Sequence, residues 1–173
     1  MSTATLTHTH TGAMEVLRVQ AKGIRGSLLR NIEGLTHNDS LISPAPGGNC
    51  LNWVVGHLVS TNERLLEVLG QPPVLGKDSL RRYDRGSAEL HDPAEAMPLD
   101  TLLAAWDRQW AGIDAGLSAI APEKLDAPAP FSPRNKVDET VLSLLTIVMF
   151  HQAYHAGQAG LLRRIAGREG AIR

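Results

Sequence analysis

Four stretches of this chain repeat apolar residues at spacings of three and four, and the breaks between them are rich in proline and glycine. Such a pattern buries one face of each of several helices and leaves little room for a sheet. From Met14, the residues Val16, Leu17, Ile24, Leu28, Leu29, Ile32 and Leu35 mark a first helix ending near His37. Ser43 to Asn49 interrupts it, with Asn49 placed to cap a second helix that carries Trp53, Val54, Leu58, Leu65, Leu66, Val68 and Leu69 and stops at Gly70. Gln71 to Pro98 holds four of the ten prolines and no sustained period, so it reads as a long crossover with one short helical turn. Leu99 to Ile120 gives a third helix, Pro122 to Pro133 a linker, and Val137 to Ala166 a fourth helix, the most apolar. No alternating strand pattern or hairpin turn competes, which predicts an all-α four-helix bundle with its long crossover between the second and third helices.

At 173 residues the chain is about one domain. The expected division is a flexible N-terminus over 1–12 and a single bundle domain over 13–170. With 43% hydrophobic but only 4% aromatic residues, the core must be largely aliphatic. A net charge of −1 offers no basic field, which argues against nucleic acid and anionic membranes as partners. The most apolar run, Val141 to Phe150, is about half the roughly 20 residues needed to cross a bilayer. A lone cysteine, Cys50, and a Thr- and His-bearing N-terminus without an apolar stretch point to the cytoplasm.

Chemistry concentrates in Phe150-His151-Gln152-Ala153-Tyr154-His155-Ala156-Gly157-Gln158. Two histidines four apart on a helix are turned by about 40° and separated by about 6 Å along its axis, so both imidazoles can reach one ion. They fall on the face that a bundle buries, where polar groups need partners. On the second helix His57 shares a stripe with Trp53, Val54 and Thr61 and supplies a third candidate ligand. Three ligands from two helices leave a position open for water or substrate, whereas a structural zinc site usually closes with four.

The pairing of Trp53-Val-Val-Gly56-His57-Leu58 with His151-x-x-x-His155-x-Gly157-Gln158, some ninety residues later, resembles the DinB/YfiT-like superfamily. The resemblance implies an up-up-down-down four-helix bundle that forms a homodimer. It also implies a divalent metal, zinc or nickel, held by three histidines that correspond to His57, His151 and His155. Relatives include thiol-dependent S-transferases and the N-terminal domain of a mycothiol-dependent maleylpyruvate isomerase. The implied co-substrates are therefore a low-molecular-weight thiol (mycothiol, bacillithiol or glutathione) and a small electrophile. The isomerase branch has an additional C-terminal domain, and this sequence ends at Arg173, so S-transfer or hydrolysis is expected rather than isomerisation. The alternative expectation is a non-catalytic metal-binding helical dimer with a structural or stress-response role.

Other residues carry weaker signals. Gln158 is a candidate hydrogen-bond partner of a metal ligand. Cys50 reads as an ordinary buried or half-buried cysteine although it sits near a helix start, and Arg163 and Arg164 as cations complementing the last turn of the fourth helix. Arg81, Arg82 and Arg85 form a basic cluster that either lines a pocket mouth or faces solvent. Tyr154, rotated about 100° from His155, is the nearest candidate for acid–base work, and no residue is assigned that role. Trp53, Trp106 and Trp110 are expected to pack the core.

Overall fold

The computed structural model describes residues 3–172, with side chains described from Gly12 onward. Its regular elements are helical: α1 (Thr3–Ile32), α2 (His37–Ser40), α3 (Leu51–Val68), α4 (Leu99–Ala119), α5 (Pro122–Leu125) and α6 (Val141–Ile165). Two 3-10 turns, Asp78–Tyr83 and Pro93–Glu95, occupy the crossover in place of the single turn expected there. Among the described residues, no helix is long and apolar enough to cross a membrane.

The four long helices close around one core. α1 packs on α6 and α4, and α3 packs on α4, α6 and the Asp78–Tyr83 turn. α3 is the central element, with Leu51 through Ser60 continuously buried. A helix covered on nearly all sides cannot stay amphipathic, which is why Asn52, His57, Ser60, Asn62 and Glu63 are buried along with its apolar residues. These polar groups need internal partners. Glu63 accepts hydrogen bonds from the backbone N–H groups of Val74, Leu75 and Gly76 and from Nε2 of Gln109, so it ties the start of the crossover to α4. Trp106 and Trp110 pack edge-on in the core, with ring centroids 5.3 Å apart.

Several boundaries differ from the sequence expectation. α1 begins at Thr3, well before the periodic pattern starts, and ends at Ile32. Residues 1–12 were the expected flexible segment; Met1 and Ser2 lie outside the described residues, and the backbone from Thr3 onward is helical. His37 starts the separate short helix α2, because Thr36 and Asp39 close a reciprocal capping box there. Cys50, not Asn49, occupies the N-cap of α3, and no side chain caps that end. α6 starts at Val141 instead of Val137, since Thr140 accepts from the Ser143 N–H and Ser143 Oγ accepts from the Thr140 N–H.

Glu139 secures the same helix start. Its buried carboxylate accepts from the hydroxyls of Ser143 and Ser132 and from Nη2 of Arg134, which together hold it down at a pKa of about 2, against an ordinary 4.5. A carboxylate depressed in this way stabilises the folded chain fully above about pH 4.5 and loses that contribution as pH falls toward 2. Glu139→Gln is therefore expected to melt below the parent at neutral pH and to converge with it in strong acid. Melting curves recorded from pH 7 to pH 2 that stay parallel would refute this account.

Candidate metal centre

The three histidines singled out by spacing meet at one point. One ligand nitrogen from each of His57, His151 and His155 falls within 4.8 Å of the others. The rings lie edge-on to one another, with centroids 4.5 to 5.2 Å apart. α6 supplies two of them one turn apart on the side facing α3, and α3 supplies the third.

Hydrogen bonds decide which nitrogens are free. Nδ1 of His57 lies 2.8 Å from the carbonyl oxygen of Tyr83, which can only accept, so Nδ1 carries the proton and Nε2 is bare in the neutral ring. Nδ1 of His155 donates to Oε1 of Gln158 at 2.8 Å and likewise leaves its Nε2 bare. Trp53 stacks on His57 at 4.9 Å with an interplanar angle of 14°, which fixes the plane of that ring, and the indole N–H donates to Ser87 Oγ. Trp53 is thus both a core residue and a wall of the site.

All three imidazoles are neutral at physiological pH. Burial lowers the pKa of each, which for His151 reaches about 3, with repulsion from a charged His155, His57 or Arg85 adding to the effect. The hydrogen bonds to Tyr83 and Gln158 oppose the shift at His57 and His155, and His151 has no such support.

A divalent cation fits this donor set. Nε2 of His57 and Nε2 of His151 are 3.1 Å apart. Metal–nitrogen bonds of about 2.0–2.1 Å place two imidazole nitrogens about 2.8–3.4 Å apart for ligand angles from octahedral to tetrahedral. Moreover, Nδ1 of His151 is buried with no partner among the described residues, so protein hydrogen bonds alone leave this ring under-compensated. Clustered imidazoles, two of which already present a bare Nε2, are what a zinc- or nickel-class ion requires.

The rings sit in the wall of a cavity of about 820 Å³. Its lining comes from α3 (Ser60, Thr61, Arg64), the crossover (Asp84, Arg85) and the linker (Phe131, Pro133). α6 adds Phe150, Tyr154 and Gln158. Tyr154 stands edge-on to His155, with centroids 5.3 Å apart. The basic cluster of the crossover splits: Arg85 lines the cavity, while Arg81 pairs with Asp78 and Arg82 with Glu95. Cys50 is fully buried, and that burial pushes its thiol pKa up despite its place at the start of α3. Arg163 donates to the carbonyls of Asn31, Glu33 and Glu169 and so joins the ends of α1 and α6 away from the site.

Sequence reasoning missed the contribution of the crossover. Tyr83 acts through its backbone carbonyl, which leaves no mark on side-chain pattern. Its phenol donates to Asn52 Oδ1 and accepts from the Met97 N–H, locking the turn onto α3. Asp84 accepts from Ser60 Oγ at 2.9 Å and lies 3.6 Å from Arg64. Gly56 explains how the turn comes so close: a Cβ there would fall 2.2 Å from Cδ1 of the Tyr83 ring. The glycine beside His57 is thus a packing requirement for the residue that orients His57.

The fold is similar to that of a crystal structure of a conserved protein from Enterococcus faecalis, with 18% identity, a TM-score of 0.68, and coverage of 88% of this chain and 95% of the other. No curated protein sequence matches the chain. The family model of the DinB superfamily matches residues 20–159, a span that includes α3, the crossover and all three histidines. With most of its length and the whole histidine cluster inside that match, the chain belongs to the DinB superfamily.

Proposed function

We propose that His57, His151 and His155 hold a divalent ion, zinc or nickel, and that the adjoining cavity brings a low-molecular-weight thiol or water to it for reaction with a small electrophile. The chain then acts as a thiol S-transferase or hydrolase. The observation that carries this reading is the convergence of three neutral imidazoles from two helices in the wall of a cavity, with no fourth protein ligand in the cluster among the described residues. A divalent ion there lowers the pKa of a thiol or water in its open position and so makes a nucleophile available near neutral pH.

The chain's own residues provide the positioning. The Tyr83 carbonyl and Gln158 Oε1 fix the rings of His57 and His155, and the Trp53 indole stacks on His57 and holds the plane of that same ring. Phe131, Ile147 and Phe150 give apolar walls that exclude water from a bound co-substrate. The reading includes a homodimer, but the expected up-up-down-down order does not hold: α4 runs antiparallel to α1, with Arg18 on Asp114 and Arg25 on Asp107, and α3 runs parallel to α4, with Leu66 beside Gly112 and Leu69 beside Gly116. Val16 and Val19 on α1 and Leu161 and Ile165 on α6 leave apolar area exposed for a second copy to cover.

Protein loaded with Co(II) and titrated with 2-mercaptoethanol or glutathione tests the thiol reading. A near-ultraviolet sulfur-to-cobalt charge-transfer band is expected; bound cobalt that gives no band with either thiol would overturn it. Gln158→Ala is expected to weaken zinc binding by about 10–100-fold, because His155 loses the acceptor that fixes its proton. Competition with a chromogenic chelator measures that change, and an unaltered affinity would remove Gln158 from the site.

A further inference from the structure

The cavity carries more positive charge than its surface needs. Two guanidinium groups, Arg64 and Arg85, line it against a single carboxylate, Asp84. Asp84 is already engaged by Ser60 Oγ at 2.9 Å and contacts Arg64 only at 3.6 Å, long for an ion pair and therefore readily exchanged. Arg85 has no carboxylate within ion-pair distance among the described residues. Its Nη1 donates to the carbonyl of Pro133, which holds the side chain against the linker and leaves most of its donors unspent. Beside these charges the cavity is lined by large aromatic groups that stay uncovered: Phe150 and Tyr154 are each 66% exposed.

Unspent cations beside uncovered aromatic surface describe a complementary ligand, anionic at one end and apolar along its body. We propose that Arg64 and Arg85 select a thiol co-substrate bearing a carboxylate, with Arg64 exchanging its Asp84 contact for the ligand and Phe150 and Tyr154 covering the ligand's apolar portion. This inference rests on the thiol reading above and adds the class of thiol to it. Arg64 and Arg85 are specificity-determining residues here; they hold the ligand and take no part in forming the nucleophile.

The test compares acids with their methyl esters. Co(II)-loaded protein is titrated with 4-mercaptobutyrate, 6-mercaptohexanoate and the methyl ester of each, following the sulfur-to-cobalt band. At least one acid should bind about tenfold or more tightly than its ester, the margin expected for a hydrogen-bonded charge pair. In Arg64→Gln and Arg85→Gln the acid-to-ester ratio should fall toward one while cobalt content stays at the parent level. The variants also separate arginine recognition from chelation of the ion by the acid itself. A band with acids and esters alike but no preference, or a preference that survives in both variants, overturns this inference alone. A band with none of the four thiols overturns the thiol reading and this inference with it.

Discussion

Gly56→Ala is expected to destabilise the protein by about 3 kcal/mol, a drop in Tm of about 6–12 °C for a chain of this size. Ordinarily the substitution would work in the opposite direction, since alanine is favoured over glycine inside a helix by about 1 kcal/mol. Here the new Cβ would meet Tyr83 Cδ1, Cγ and Cε1 at 2.2, 2.4 and 2.5 Å. That ring is 1% exposed and anchored by hydrogen bonds to Asn52 and Met97, so it cannot swing aside cheaply. Overpacking therefore outweighs propensity. Displacing Tyr83 also withdraws the carbonyl that holds His57 Nδ1, so any folded fraction should bind zinc about 10–100-fold more weakly. Gly157→Ala is the internal control: nothing lies within 4 Å of its added Cβ, and its Tm should stay level or rise. Calorimetry on the two variants that ranks them in the other order would sink the packing account.

The second large effect concerns the ion itself. Untagged protein never exposed to a nickel column is expected to contain, or to take up on addition of zinc or nickel, close to one equivalent of metal. The His57→Ala/His151→Ala/His155→Ala variant should contain almost none while keeping its helical circular dichroism. The fold should survive because the three rings border an existing cavity, so their removal enlarges a solvent-connected space and leaves no sealed void in the core. Elemental analysis settles the matter. A folded variant that retains the parent's metal content, or a parent that binds neither zinc nor nickel, makes the three histidines polar packing and removes the enzyme reading with them.

The histidine cluster was legible in the sequence because helical periodicity converts spacing into direction. His151 and His155 must lie one turn apart, and His57 shares a stripe with residues that had to be buried. Gln158 was legible by the same rule, although it serves His155, its neighbour at i+3, on the outer side of the cluster. The all-helical class followed from the same periodicity. Helix ends were less visible because capping depends on local hydrogen bonds: Thr140 with Ser143 starts α6 later than apolar spacing alone would, and Thr36 with Asp39 starts a separate short helix where that spacing would have continued α1. The crossover was least legible. Its residues follow no period, and Tyr83 and Arg85 take their roles from a backbone carbonyl and from a contact with Pro133. The basic cluster could be seen there, but not the fact that only one of its three arginines lines the cavity.

Tyr83, Asp84 and Arg85 are consecutive, yet each serves a different neighbour: the first His57, the second Ser60, and the third the carbonyl of Pro133. Three duties on three adjacent residues make this segment tolerant of exchange and intolerant of indels. Replacing Arg85 alters one duty and leaves its neighbours in register, whereas gaining or losing one residue between Asp78 and Gly86 displaces all three together. Descendants of this chain can therefore diversify at the rim by point substitution, while the length of the segment is pinned by the imidazole it orients.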